Sequence, residues 1–450
     1  MIKKYITMVC VTLLSAALFG AEKTAKNQEY TSPSNVKSII SKGGIKIYHM
    51  RDSSAPLIHI KIAFKRSGTV YQEKSKFGVP EFYASTVFCG CGKYTQSEFE
   101  QKLENIVTSL DCTNDRNNLT FSMTAPTIVL DEAIPLFEIA ISKPLFEKDR
   151  VKNIQNEIAA VLQNYAANPD FAAKNIFIPA MIFKSHAYEV GMYGSAEDFV
   201  KLTIDDLKKY QKKFIVKSNV EAFVFGDISE EKAIVIVDQI LSGIETGTPA
   251  RDIIKGVEPK MSNEIKKYYA DGSQSTIVFA SKSVKSESSD RHAAIALFRI
   301  LGGRGLFKSK IMSVLRTQQG LIYGGSVSMI NLDHTYYVVG ALKTDNSKVE
   351  KAISSLRSII KDLKENGITE SELTLIKSNI IGTLLVSLRT SRSVCDFYFS
   401  EIINGGGTDA LNDLLNGVNN VKPEDTKNLS QRILDEKNIP MVIIGGHNDV

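Results

Sequence analysis

TIDDLKKYQKKFIVKSNVEAFVFG, residues 203–226, and KPEDTKNLSQRILDEKNIPMVIIG, residues 422–445, are two versions of one pattern. Each opens with a helix-capping sequence, continues with a helical pattern and ends in an apolar strand that is closed by glycine. One offset of 219 residues (425 − 206 = 219) relates three pairs of matched positions, which are Asp206 and Asp425, Asn219 and Asn438, and Gly226 and Gly445. Three matches at one offset predict a duplicated domain.

Strand and helix patterns are mixed along the rest of the chain without strict alternation. Alternating or β-branched runs predict strands at 44–50, 57–66, 220–225, 264–269, 275–281, 326–330, 336–342 and 441–444. Apolar residues at helical spacing predict helices at 78–90, 96–108, 130–142, 147–166, 203–214, 291–301, 307–318 and 349–366. This order favours the α+β class, with two tandem homologous halves that each pack helices on a mainly antiparallel sheet.

The length of the chain, 450 residues, favours more than one domain, because a single hydrophobic core seldom grows that large. The stretch at 245–262 is rich in Gly, Pro and Thr and is predicted to be a linker. It separates a predicted N-terminal half at 37–244 from a predicted C-terminal half at 263–450.

The first residues, 1–21, have the layout of a secretory signal peptide. Two lysines precede an apolar run at 5–19, which is followed by the small residues Gly20 and Ala21. The alternative, a short membrane anchor, requires a longer apolar run than this one. We therefore expect a cleaved protein exported to a bacterial periplasm, with a flexible lead-in at 22–36 and no membrane attachment after cleavage.

Composition excludes several classes of protein. A hydrophobic content of 43% and a charged content of 23% are those of a globular chain. The net charge of +5 is small and the basic residues are interleaved with acidic ones, so no nucleic acid is expected as a partner. We interpret Cys89, Cys91, Cys112 and Cys395 as buried free thiols. The alternative is that they pair in disulfide bonds.

Several motifs together, in their order and spacing, resemble the insulinase/pitrilysin-type metallopeptidase family. They are Ser185-His186-Ala187-Tyr188, Gly194-Ser195-Ala196-Glu197, Leu301-Gly302-Gly303, Leu315-Arg316, Gly320-Leu321-Ile322-Tyr323-Gly324 and the apolar run at 380–388. The resemblance covers nearly the whole chain after the signal peptide. It implies two halves that face each other like a clamshell around an extended peptide.

The zinc motif of that family is missing from the matching helix. The family's chemistry needs H-x-x-E-H, in which two histidines bind zinc and the glutamate activates the attacking water. Here Glu81 stands at the first histidine position, Ala84 at the position of the general base and Ser85 at the second histidine position. The third ligand position falls at about Val161. The resemblance therefore implies a chain that holds no metal or other cofactor and is inactive alone.

Arg316 and Tyr323 match an Arg/Tyr pair that the second half of some family members contributes to the zinc site. Arg316 is predicted at the end of a helix, and Tyr323 on a strand after a turn at Gly320. A guanidinium and a phenol that point together can bind a peptide carbonyl and the oxyanion that forms during attack. The alternative is a surface arginine and a half-buried tyrosine with no shared role.

Three functions remain open from the sequence. The first is the non-catalytic partner subunit of an exported zinc peptidase, which binds extended peptides and supplies Arg316 and Tyr323 to a zinc-bearing sister subunit. The second is a non-enzymatic peptide-binding or structural protein, similar to the family's core subunits of respiratory complexes. The third is an independent metallopeptidase with an unrecognised site.

Overall fold

The computed structural model of the chain describes residues 35–73, 75–191 and 194–446. The predicted signal peptide at 1–21 lies outside the described residues, as does all but the end of the predicted lead-in at 22–36. Helices are packed on two sheets, so the predicted α+β class is confirmed.

Eleven strands form two sheets in the part of the chain that the structure describes. The strands are β1 Lys37–Ile40, β2 Lys46–Arg51, β3 Leu57–Phe64, β4 Ser109–Asn114, β5 Leu119–Pro126, β6 Val220–Gly226, β7 Ile265–Tyr269, β8 Gln274–Lys282, β9 Ile322–Leu332, β10 Thr335–Asp345 and β11 Met441–Gly445. The first sheet has the order β1-β2-β6-β3-β5-β4, and the second has the order β7-β11-β8-β10-β9.

The two sheets share one topology, which confirms the predicted duplication. The last strand of each half lies parallel to the first strand of the shared pattern, β6 beside β2 and β11 beside β7. All other neighbouring strands are antiparallel. Without the additional edge strand β1, the two orders correspond strand for strand.

Fifteen α-helices and two longer π-helical segments pack around these sheets within the described ranges. The α-helices are α1 Val79–Thr86, α2 Gln96–Asn105, α3 Leu130–Ser142, α4 Lys148–Ala167, α5 Pro169–Ala172, α6 Ile178–Ile182, α7 Ala196–Phe199, α8 Ile204–Phe214, α9 Glu230–Ile240, α10 Arg291–Gly302, α11 Val349–Asn366, α12 Glu370–Ser387, α13 Ser391–Ile403, α14 Ala410–Asn420 and α15 Pro423–Ile433. The π-helical segments are Ala173–Phe177 and Ile311–Gln318.

The repeated unit matches at the level of single residues. Helices α8 and α15 start 219 residues apart (423 − 204 = 219), and each contains 11 residues. At the start of α8 the Asp206 carboxylate accepts from the backbone N–H of Thr203 at 2.9 Å. At the start of α15 the Asp425 carboxylate accepts from the backbone N–H of Lys422 at 2.8 Å. These carboxylates satisfy backbone donors that helix formation leaves unpaired.

Close packing requires the glycine that ends each unit. A Cβ atom at Gly226 would lie 2.1 Å from the Leu57 carbonyl oxygen, where β3 begins. A Cβ atom at Gly445 would lie 2.2 Å from the Ser275 hydroxyl oxygen, near the start of β8. Gly226 also has a φ of +132°, a conformation that favours glycine. The matched glycines in the sequence therefore mark the same close approach in both sheets.

The first sheet is buried on both faces at its centre, and the two halves contribute one cover each. Ala222 and Val224 of β6 join the core formed with helices of the N-terminal half. The alternate residues Phe223 and Phe225 pack in a cluster with Tyr398 of α13, from the C-terminal half. Because side chains alternate along a strand and both faces are covered, residues 222–225 of β6 form a continuous apolar run.

The second sheet is covered in the reciprocal way. Ile277 and Phe279 of β8 join the core of the C-terminal half. Val278, which lies between them, packs in the same core as the N-terminal helix α6. The ring of Phe177, just before α6, stacks on that of Tyr268 in β7 with centroids 4.0 Å apart. Each half therefore covers one sheet face of the other.

The predicted linker at 245–262 contains no helix or strand. The N–H of Val257 donates to the carbonyl of His334 at 3.0 Å, in the turn between β9 and β10. The N–H of Lys260 donates to the carbonyl of Ile182 at 2.9 Å, at the end of α6. This extended segment is thus hydrogen-bonded to elements on both sides of it.

The sequence patterns do not predict β1, β4, β5, α5, α6, α7, α9, α13 or α14. Strand β4 reads SLDCTN, and Asp and Asn are disfavoured in strands, so its extended state depends on pairing with β5. The helix predicted at 307–318 begins only at Ile311 and is π-helical, after a loop in which Gly305 has a φ of +76°. Tertiary pairing explains β4 and the turn explains the late start at Ile311, whereas α9 and α13 have local N-caps, Ser229 and Thr390, that the patterns missed.

The cysteines Cys89, Cys91, Cys112 and Cys395 are free and buried, so the interpretation as buried thiols is confirmed. Burial raises the pKa of Cys89 to about 11 and that of Cys91 to about 12. Both thiols therefore stay protonated at neutral pH and are poor metal ligands or nucleophiles in this state.

Val107, in the turn between α2 and β4, is a source of strain that can be tested. It has a φ of +51° and is 77% exposed. A β-branched residue in the left-handed region is strained by about 1–2 kcal/mol, whereas asparagine tolerates this region. We expect Val107→Asn to raise the free energy of unfolding by about 1 kcal/mol in a urea titration. Val200→Asn, at an exposed position with a φ of −69°, is the matched control. An equal gain in both variants would rule out strain as the cause.

Candidate functional site

Helix α1 carries three of the four positions that the zinc motif would occupy. Gly78 precedes the helix with a φ of +92°, and Pro80 lies in the first turn, where a missing N–H breaks no helical bond. Glu81 and Ser85 are one turn apart, and the Ser85 hydroxyl donates to the Glu81 carboxylate at 3.4 Å. Ala84 is buried beside them and offers no atom that accepts a proton.

The Glu81 carboxylate is engaged by neighbours of its own. It accepts one hydrogen bond from the side-chain amide of Asn114, at the end of β4, and a second from Ser85. Burial raises the pKa of Glu81, and these two hydrogen bonds oppose the shift without cancelling it. One carboxylate, one amide and one hydroxyl form a local polar cluster between α1 and β4. They do not form the set of three nitrogen, sulfur or carboxylate ligands that zinc prefers.

Val161, at the third ligand position, lies on α4, which packs against α1. Its side chain is 42% exposed and contains no donor atom. Across residues 35–446, leaving aside the three that are not described, no group of three His, Cys, Asp or Glu side chains is arranged to hold a metal ion. The four positions thus hold a carboxylate, a hydroxyl and two hydrocarbon side chains.

Two histidines near the contact between the halves make structural hydrogen bonds. His59, buried on β3, bonds the hydroxyls of Thr124 and Ser391 at 2.9 and 3.0 Å. Burial lowers the pKa of His59, which favours its neutral form. His334, at the turn between β9 and β10, bonds the hydroxyl of Tyr71 at 3.1 Å. Neither imidazole lies beside a second one, as zinc ligands do, among the residues that the structure describes.

Arg316 lies near the end of the π-helical segment, close to the helix end predicted for it. Its side chain is exposed, and it makes no ion pair or side-chain hydrogen bond with any residue that the structure describes. Short π-helical stretches often occur at functional sites. The guanidinium is therefore available to a ligand or to another chain.

Tyr323 lies on β9, as predicted, at a β-bulge. The pairing of β9 with β10 shifts between Lys343 and Thr344, which leaves Tyr323 as the extra residue of an edge strand. Its side chain is 51% exposed, and its hydroxyl donates to the Asp345 carboxylate. The Lys348 ammonium lies 2.8 Å from the same carboxylate. The bond to Asp345 raises the pKa of Tyr323, so the phenol stays protonated.

The structure places these residues on two separate groups of elements. Within the described residues, no hydrogen bond or ion pair joins Arg316 to Tyr323, or either of them to Glu81. Asn114 and Asp345 are contacts that no sequence pattern indicates, because they are 33 positions from Glu81 and 22 from Tyr323. The shared role of Arg316 and Tyr323 stays a prediction.

Two family models match the chain. Residues 52–189 match the model described as insulinase (peptidase family M16). Residues 201–380 match the model described as peptidase M16 inactive domain. Positions 81, 84, 85 and 161 fall in the first match, and Arg316 and Tyr323 fall in the second.

Two bacterial proteins are similar to the chain over most of their length. The non-peptidase homolog YmxG of Helicobacter pylori (strain ATCC 700392 / 26695) is 21% identical over 374 residues, which are 83% of each chain. The uncharacterized zinc protease YmxG of Bacillus subtilis (strain 168) is 19% identical over 409 residues, which are 89% of this chain and 96% of that protein.

Solved structures share the fold. The peptidase M16 inactive domain from Pseudomonas fluorescens has a TM-score of 0.84 at 21% identity, covering 92% of this chain and 98% of that one. A protease from Helicobacter pylori has a TM-score of 0.81 at 16% identity, covering 91% and 99%. A chain of complex III2 from Candida albicans has a TM-score of 0.75 at 14% identity, covering 91% and 96%.

Glu81→Gln is expected to stabilise the chain at pH 7 and to leave it unchanged at pH 4. The pKa of Glu81 is raised above its ordinary value of 4.5, so protonated Glu81 stabilises the folded chain at pH values below 4.5. This contribution is lost as the pH rises through the pKa of the folded state. Glutamine stays neutral throughout. Urea titrations at both pH values measure the difference, with the exposed Glu104→Gln as the control. If the difference in the free energy of unfolding between Glu81→Gln and the unmodified chain does not grow from pH 4 to pH 7, ionisation of the buried carboxylate does not destabilise the chain.

Restoring the motif should restore a metal site. The variant with Glu81→His, Ala84→Glu, Ser85→His and Val161→Glu is expected to bind about one zinc ion per chain, because three ligands then lie on two packed helices. Metal analysis after dialysis measures this. The control retains Ala84 and should bind zinc without cleaving an unstructured peptide, because it lacks the base. A restored variant that folds but takes up no zinc would show that these positions are misassigned.

Proposed function

This chain belongs to the M16 (insulinase) peptidase family as a non-catalytic member, and we propose that it is the partner subunit of an exported zinc peptidase. In this role it binds extended peptides and supplies Arg316 and Tyr323 to the active site of a zinc-bearing sister subunit. One contrast carries the proposal. The motif positions hold Glu81, Ala84 and Ser85, whereas Arg316 is exposed and has no partner among the described residues.

Zinc is accordingly assigned to the sister subunit, and this chain is proposed to hold no cofactor. The bacterial periplasm is the proposed location, on the basis of the signal peptide predicted at 1–21. Nucleic acid is not proposed as a partner, because the sequence contains no basic motif of the kind that recognises nucleic acid.

Strand β4 supports the proposed binding of extended peptides. It has a strand neighbour, β5, on one side only in the described part of the chain. Its other edge therefore offers backbone N–H and C=O groups to an added strand. Asn114, the last residue of β4, donates to Glu81 on α1. A peptide added to this edge would run past the former zinc positions.

Arg316 and Tyr323 have the chemistry of oxyanion donors. A guanidinium donates in every protonation state that a protein reaches, and a protonated phenol donates one hydrogen bond. Tyr323 can exchange its bond to Asp345 for one to a substrate carbonyl, since Lys348 continues to neutralise that carboxylate. Donors aimed at a developing oxyanion contribute large parts of catalytic rate.

The Tyr323–Asp345 bond also favours a second candidate function, a non-enzymatic peptide-binding or structural protein. A hydroxyl committed to its own chain can stabilise the bulge between β9 and β10 without meeting a substrate. In that case Arg316 and Tyr323 would be relics of catalysis. The likeness to a complex III2 chain concerns the fold alone and does not decide between the two functions.

The mixed complex with a zinc-bearing family member tests the leading function. Arg316→Ala and Tyr323→Phe are each expected to lower kcat by about 10²–10³-fold, the usual effect of removing one oxyanion donor. Cleavage of an unstructured peptide measures kcat, and light scattering after size-exclusion chromatography measures assembly. Assembly should not change, because both side chains are exposed.

Tyr269→Phe is the matched control for this experiment. Tyr269 is also an exposed strand tyrosine whose hydroxyl donates to an aspartate, Asp271, at 2.7 Å. Its loss should leave kcat unchanged. Full activity of the Arg316 and Tyr323 variants in an assembled complex would exclude the catalytic role and leave the structural function.

A further inference from the structure

A basic and apolar surface lies on the C-terminal half, outside the residues assigned above. It consists of the loop between α10 and the π-helical segment, together with the C-terminal end of α12. This basic–apolar surface is defined by six exposed residues, which are Arg304, Phe307, Lys308, Leu385, Val386 and Arg389.

Arg299 joins the two parts of the basic–apolar surface. Its Nε donates to the side-chain oxygen of Asn379 at 2.8 Å, and its Nη2 donates to the Thr383 hydroxyl at 3.3 Å. A Cβ atom at Gly303 would lie 2.3 Å from the Arg299 Cδ, so the loop begins against the same side chain. Val386 lies one turn beyond Thr383 on α12. The start of the loop and the second half of α12 therefore both lie against the Arg299 side chain.

The end of α12 is as apolar as a helix of the core, but its side chains are not buried. Residues 380–386 read IIGTLLV, yet none of them is buried, whereas Leu373 and Ile376 earlier in the helix join the core. Exposed apolar patches of this kind mark interaction sites. No single described helix is long and apolar enough to cross a membrane, and α12 with α13 reaches the necessary length and composition only as a pair bent by 119°.

The basic–apolar surface carries three cations that no acidic residue in the described part of the chain neutralises. Arg304, Lys308 and Arg389 are exposed and form no ion pair in the described structure. Neither 302–309 nor 378–389 contains an aspartate or glutamate. Unpaired cations beside apolar side chains attract carboxylates, and this attraction weakens as salt rises.

We propose that the basic–apolar surface selects peptides in which acidic residues flank an apolar or aromatic side chain. The inference rests on the proposed peptide-binding function and names its substrate class. Carboxylates of the peptide pair with Arg304, Lys308 and Arg389, and the apolar side chain packs against Phe307 and Val386. A peptide with lysines at the same positions is repelled by the three cations.

Fluorescence anisotropy of the full mature chain tests the selectivity. Two labelled, unstructured peptides of equal length carry one phenylalanine flanked by glutamates in the first and by lysines in the second. We expect the glutamate peptide to bind about tenfold more tightly at low salt, and the preference to shrink to about twofold or less near 1 M salt.

Charge-reversal variants separate this surface from the charge of the whole chain. Arg304→Glu combined with Lys308→Glu is expected to abolish the preference, and Phe307→Ala to weaken binding of both peptides alike. The matched control combines Lys232→Glu with Lys351→Glu, two exposed lysines without ion pairs in the described residues, and changes the net charge equally. The control should retain the preference. Loss of the preference in both double variants, or in neither, would overturn the inference.

Three further outcomes would also overturn it. Equal binding of both peptides by the unmodified chain would remove the selectivity and leave the proposed function standing. Binding of neither peptide, by the chain alone or in the mixed complex, would remove the peptide-binding part of the proposed function as well. Binding to phosphatidylglycerol vesicles without binding to the glutamate peptide would assign the surface to a membrane.

Discussion

Each half of this chain covers a sheet face that the other half leaves open. Helix α13 of the C-terminal half packs on Phe223 and Phe225 of the first sheet, and a 2.7 Å ion pair joins Lys61 to Asp396 beside them. The region around α6 packs on the second sheet in return. Exposing one such phenylalanine costs about 1.5–3 kcal/mol, so neither half is complete without the other.

The reciprocal cover also determines what stays exposed. Helix α12 ends at Ser387, and the chain turns by 119° so that α13, from Ser391, can reach the first sheet. Residues 380–386 near the end of α12 stay partly or fully exposed, although most of them are apolar. The α12 part of the basic–apolar surface therefore lies next to that turn.

Helix α1 holds packing and hydrogen-bonding side chains at the positions that the zinc motif would occupy. Glu81 takes its hydrogen bonds from Asn114 and Ser85, and Ala84 is part of the packing. The opposite is true of the C-terminal half, where Arg316 and Tyr323 project from the surface. This contrast between the two halves is the support for the proposed role in the active site of another subunit.

The sequence by itself determined the duplication, the capped helices α8 and α15, and the residue types at 81, 84, 85 and 161, among which there is no histidine. These features depend on residue type and short spacing, which a chain displays before it folds. Only the tertiary structure decided that α13 crosses to the first sheet, that β4 is a strand and that Asp345 binds Tyr323. The position of α13 and the Asp345 contact depend on residues distant in sequence, which no local pattern identifies. Strand β4 depends on pairing with β5, because its own residues disfavour a strand.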